Sequence, residues 1–228
     1  MIKKIIKNIV ANNFSVFSYP IIVNSYGRSG STLLSRAIAR KGVKPQVRIL
    51  NKIASGSISK YAWDLNSVNI KNGYIYKTHD YPPKVVSNNQ ARMLYTFAKP
   101  EDVIISLLRL YDQRGKTWMK KHYDHMKIPF KDFKEIVNKD QLQLEAHLNS
   151  WLNQDQLPVA FIRYEAMWEH QKKISDYLGF DVSLPKYKER KATYYEDDRV
   201  KKVNETYDRL NRKVNKLDDF FIVNSNLL

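Results

Sequence analysis

Short apolar runs alternate along this chain with stretches in which apolar residues recur every third or fourth position. Ile21-Ile22-Val23 with Asn24, Tyr74 to Thr78, Arg92 to Phe97 and Val159 to Ile162 have the length and branching of buried strands. Between them the spacing predicts helices over Thr32–Lys41 and Glu101–Tyr111, the second opened by Pro100 and two acids. Ile174, Tyr177 and Leu178 close another helix, with Gly179 as its C-cap. Less regular stretches read as a short strand over Gln46–Leu50, a Ser-rich loop over Ala54–Ser59 and a helical turn around Tyr61–Leu65. Lys131–Gln154 reads as two helices. Within the charged stretch 186–216, Val200, Val203, Tyr207, Leu210 and Val214 form a stripe that predicts a C-terminal helix packed on the body. Strands alternating with helices imply an α/β fold: a mainly parallel central sheet in three layers, with ligands at the carboxyl ends of the strands.

Composition narrows the picture. With 228 residues and 43% apolar content the chain is expected to form one domain over 1–228, its core spanning about 20–180. The 39 basic and 23 acidic residues leave a net charge of +16, which favours anionic partners through salt-sensitive steering. A nucleotide, a polyanionic glycan, nucleic acid and acidic lipid all fit that charge. The absence of Cys excludes a disulfide framework, a thiolate metal site and a cysteine nucleophile. Lys7 and Asn8 interrupt the apolar residues near the start, and no run is long enough to span a membrane, so a cytoplasmic protein is expected.

The strongest chemical signal is Tyr26-Gly27-Arg28-Ser29-Gly30-Ser31-Thr32, between the first strand and the first helix. Unpaired N–H groups at a helix start, two glycines that admit close approach, short hydroxyls and one fixed cation make a phosphate cradle. It is not the usual nucleoside-triphosphate loop. Ser25 stands where that loop has its first glycine and Ser31 where it has its lysine.

The segment is similar to the loop of the sulfotransferases that use 3′-phosphoadenosine 5′-phosphosulfate (PAPS), roughly Y-P-[KR]-S-G-[ST]-T, with Gly27 at the proline. Lys77-Thr78-His79 resembles that family's K-T-H segment, and Pro100, Asp102, Val103 and Ser106 fall on its R-x-P-x-D-V-x-x-S segment. Tyr164-Glu165 resembles its later Y-E-D, with Ala166 in place of the acid. The likeness spans roughly Ile21 to Gly179. It implies a P-loop NTPase-like fold, PAPS as donor, no metal, and transfer to a hydroxyl or amine acceptor, a saccharide among the candidates. It also implies roles. His79 would be the general base, and Lys77 and Arg28 would offset charge on the bridging oxygen. Arg28, Ser29, Gly30, Ser31 and Thr32 would hold the 5′-phosphosulfate, Ser106 the 3′-phosphate, and Tyr164 would flank the adenine. The family's 3′-phosphate arginine is Ala98 here, which makes Lys99 the candidate replacement. No glycine follows Gly179, so the family's Gly-rich closing segment is absent or built differently.

Gln113–Ile128 mixes Arg114, Lys116, Lys120 and Lys121 with Trp118 and Tyr123. It reads as a solvated helix or mobile lid ahead of a sugar or single-strand contact. His122 and His125 lie at helical spacing without the carboxylates of a metal site. A non-catalytic nucleotide- or polyanion-binding protein of the same fold is the alternative function. A magnesium-dependent phosphotransferase and a nucleic-acid binder rank below it.

Overall fold

The computed structural model describes residues 15–45, 51–84, 90–187 and 198–224. β1 (Ile21–Ser25) is buried at every position, as a strand covered on both faces must be. It leads through a tight loop into α1 (Ser31–Lys41), then α2 (Asn51–Ile58), β2 (Ser59–Tyr61) and β3 (Ile75–Lys77). β4 (Arg92–Phe97) runs into the long helix α3 (Pro100–His125). A 3-10 turn (Phe133–Val137), α4 (Leu144–Leu152), β5 (Val159–Arg163) and α5 (Gln171–Leu178) follow, then α6 (Asp198–Asn215) and β6 (Phe220–Val223).

The six strands lie in the order β2-β3-β1-β4-β5-β6, parallel except for β6, which runs antiparallel to β5. Helices flank this sheet, so the fold is α/β, a mainly parallel sheet between helical layers. The chain leaves β1 toward β2 and β3 on one side and continues into β4 and β5 on the other. That reversal beside β1 leaves a crevice at its carboxyl end. Register then gathers the chemistry there: Val23 pairs with Lys77, Ser25 pairs with Thr96, and the Thr78 N–H donates to Val23 O at 3.0 Å.

Several expectations need correction. The Ser-rich loop is α2 running to Ile58, and Tyr61 ends strand β2 instead of opening a helical turn. The predicted strand over 46–50 lies outside the described residues. α3 continues to His125, far past Tyr111, across a kink at Gly115 (φ 71, ψ −176). Its second half has two faces: Arg114, Lys116, Lys120 and Lys121 are exposed as a solvated helix requires, while Met119, His122 and Tyr123 are buried. The first of the two helices expected over 131–154 is a 3-10 turn, started by Asp132, whose side chain accepts from Lys134 N–H at 3.0 Å.

The C-terminal stripe behaves as its spacing requires. Val203, Tyr207, Leu210 and Val214 are buried, and the Tyr207 hydroxyl donates to Ile136 O at 2.9 Å. Asn211 ties α6 to the start of α3, donating to Glu101 Oε2 at 2.8 Å. β6 was not anticipated. Its Phe221 ring stacks on Phe161 of β5 at 4.9 Å, closing that edge of the sheet. No helix among the described residues is long and apolar enough to cross a membrane.

Candidate active site

The loop between β1 and α1 turns sharply because Gly27 (φ 92) and Gly30 (φ 89) take left-handed backbone, with Arg28 (φ 50) between them. Such a run curls backbone N–H groups into an anion-binding concavity. No side chain caps α1. The N–H groups of its first turn are therefore directed at the loop, together with the positive end of the helix dipole.

Ser25 is the hub of this cradle. Its Oγ donates to Ser31 Oγ at 2.9 Å and accepts from the Gly27 N–H at 3.1 Å. Ser29 is buried and its Oγ donates to Thr96 O at 2.8 Å, so its hydroxyl fastens the loop to β4. Only the backbone of Ser29 is left for a ligand. Gly30, Ser31 and Thr32 line the adjoining cleft, with Thr32 exposed. Tyr164, just past β5, also lines it. Its ring lies so close to Gly30 that a Cβ there would come within 2.3 Å of Cδ2.

Lys77 ends β3, and His79 follows two residues later, buried beneath the loop. The His79 Nδ1–H donates to Ser25 O at 2.7 Å, which fixes the tautomer. Nε2 is thereby left as an acceptor, and the Lys77 ammonium donates to it at 3.0 Å. Burial, with Lys77 and His122 nearby, holds His79 well below the ordinary imidazole pKa. Burial also lowers Lys77, to about 8, helped by Arg28 and Arg36. The pair is thus a neutral imidazole facing an ammonium that can lose its proton near neutrality.

Arg28 donates from Nε to Ser106 Oγ at 3.1 Å, joining the loop to the first half of α3. Lys99 is not gathered in. It is exposed at the N-cap of α3 and does not line the cleft. Ala98 is buried, its carbonyl accepting from the Tyr26 hydroxyl and its N–H donating back at 2.9 Å. That position belongs to the core, and the residue after it emerges on the other side.

Residues outside the sequence-based site complete the walls. Past the Gly115 kink, Trp118, His122 and His125 recur at helical spacing and line the cleft on one stripe of α3. Trp118 stacks on His122 at 5.6 Å and His125 on Trp63 at 4.1 Å, while Trp63 stacks on His79 at 5.8 Å. Burial, aided by Arg28, lowers His122 to about 3, so it is neutral. The sequence signals for this wall were aromatics among the basic residues of 113–128 and the helical spacing of His122 and His125. The cleft has a volume of about 1330 Å³. Arg28, Arg36, Arg40, Lys60 and Lys77 line it, and no described Asp or Glu does. Among the described residues no three His, Asp or Glu side chains are grouped as a metal site.

Against known proteins, no family model matches the chain, and no curated protein does. Solved structures do resemble it. The chain is similar to mouse sulfotransferase SULT7A1 complexed with PAP, at 20% identity and TM-score 0.45, over 76% of this chain and 64% of that one. It is also similar to retinol dehydratase in complex with androsterone and inactive cofactor PAP, at 17% identity and TM-score 0.42. That match covers 87% of this chain and 67% of the other. The chain therefore spans about two thirds of the length of the structures it matches.

Proposed function

We propose that this chain moves a sulfuryl group from PAPS to a hydroxyl or amine of an acceptor, a saccharide being the class its basic cleft fits. The observation that carries the proposal is the Lys77–His79 pair, 3.0 Å apart and joined through Ser25 to the anion-binding loop. Bound PAPS would supply the activated sulfuryl group. The loop backbone from Arg28 to Thr32 would hold its 5′ end, Arg28 with Ser106 the 3′-phosphate, and Tyr164 the adenine. Because Gly30 presents no Cβ, the Tyr164 ring already rests against the loop, as a wall for a flat base requires.

The Lys77 ammonium covers the His79 Nε2 lone pair. An anion on the loop draws that ammonium toward itself and uncovers Nε2. The uncovered nitrogen can then take the acceptor proton while Lys77 and Arg28 offset charge on the departing oxygen. Binding and activation of the base are coupled through one side chain.

Titration calorimetry with PAP and with magnesium ATP, followed by turnover of labelled PAPS over a set of acceptors, tests the proposal. PAP binding with turnover supports it, and ATP binding in preference to PAP overturns it. The second reading, a nucleotide- or polyanion-binding protein without turnover, draws on buried Ala98 and on Lys99 lying outside the cleft. PAP binding with no sulfated product under any acceptor would favour it.

A further inference from the structure

The cleft is longer than the nucleotide site, and its far part has its own character. Thr32, Arg36 and Arg40 are exposed at successive turns of α1, and all line the cleft. Each step climbs ~6 Å along the helix axis, so Arg40 stands ~12 Å beyond the loop. The cations therefore lead away from the phosphate cradle along α1, within the same cleft that Lys60 and Tyr61 of β2 line. Neither Arg36 nor Arg40 makes an ion pair with a described carboxylate.

The same cleft holds a ladder of rings that runs from solvent to the base. Tyr61, 65% exposed on edge strand β2, stacks on Trp63 at 5.2 Å. Trp63 in turn stacks on His79 at 5.8 Å. An exposed flat ring beside a row of cations offers stacking for a sugar ring and charge for its acidic substituents. A compact phenol would need neither the length of the track nor its outer cation.

Resting on the sulfotransfer reading above, we propose that the acceptor is an acidic saccharide chain. It is held along the Arg36–Arg40 face of α1, with a ring laid on Tyr61 and the next hydroxyl delivered to His79. Arg28 and Lys77 serve the donor, and Arg36 and Arg40 serve the acceptor. The two sets of cations are separable by mutation.

The test starts from protein saturated with PAP. If the wild type does not take up PAP, the sulfotransfer reading itself fails. With PAP bound, a heparin-derived hexasaccharide, a poly-glutamate peptide and a single-stranded deoxyhexanucleotide are titrated in turn. The hexasaccharide is expected to bind best. R36Q/R40Q is expected to weaken it at least tenfold while PAP affinity stays within threefold, and Tyr61→Ser to weaken it severalfold. Unchanged saccharide binding in R36Q/R40Q overturns the proposal. So does an equal loss of PAP affinity, which would assign the arginines to the nucleotide. Preferred binding of the peptide or the oligonucleotide overturns it in favour of that class.

Discussion

His147 donates from Nε2 to the backbone carbonyl of Asp80 across 3.0 Å, and to that of His79 across 3.2 Å. Its Nδ1 accepts from the Tyr95 hydroxyl at 2.8 Å, so a neutral imidazole satisfies both contacts at once. Burial keeps it neutral, lowering its pKa to about 4. Trp151 of the same helix and Asn24 of β1 donate to the same Asp80 carbonyl, each at 2.9 Å. The backbone that carries His79 is thus pinned from behind the sheet.

His147→Phe leaves the Tyr95 hydroxyl and the His79 carbonyl short of a partner. The expected cost is about 1–3 kcal/mol, or roughly 2–10 °C in Tm. A positioning role also predicts about tenfold loss of kcat with PAP affinity within twofold. Calorimetry beside steady-state kinetics separates the two, and a variant that loses stability but keeps kcat makes His147 structural only.

His79→Ala is expected to lower kcat by ~10²–10⁴ while PAP still binds. The folded pKa of His79 lies well below the ordinary value, so its base form persists as pH falls through the range where a free imidazole would protonate. The acid limb of wild-type kcat at saturating PAPS should therefore lie below the ~6.5 of a free imidazole. An acid limb centred near ~6.5 would mean that the base is exposed or is another group.

Lys77 predicts the opposite limb. Its ammonium, with pKa about 8, is the form that attracts an anion. PAP affinity should decline above that pH by up to tenfold per unit, since phosphates lose their second proton near ~6 and do not titrate there. Proton uptake on binding at about pH 8.5, seen as a dependence on buffer ionisation enthalpy, is the direct readout. Lys77→Met should bind PAP more weakly at pH 7 and show no such slope.

Ser106→Ala is expected to weaken PAP by about 1.5–3 kcal/mol, the loss of one charge-assisted contact. Lys99→Ala, at an exposed position away from the cleft, should change it by less than about 0.5 kcal/mol. A larger effect at Lys99 than at Ser106 would reverse the two assignments.

Much of the site was legible because its parts are local. A strand, glycines where the backbone turns left-handed and a following helix are written contiguously from Ile21 to Lys41. Gly179, at φ 67, caps α5 for the same reason. Ser29 shows where local reading stops. Its hydroxyl looked like a ligand donor, yet Thr96 of the neighbouring strand takes it. Lys99 shows it again, since one residue of register decides whether a side chain faces the cleft or solvent.

By itself the sequence determined the alternation of elements, the anion-binding turn and the Lys77–His79 spacing, because hydrophobic period and backbone conformation act within a few residues. Tertiary structure alone decided which distant side chains converge. Past the Gly115 kink, His122 lies against Gly27 and His125 on Trp63, both far away in the chain, α4 reaches through to hold Asp80, and β6 finds β5. Such contacts depend on how whole helices pack across the sheet, and no local period encodes that.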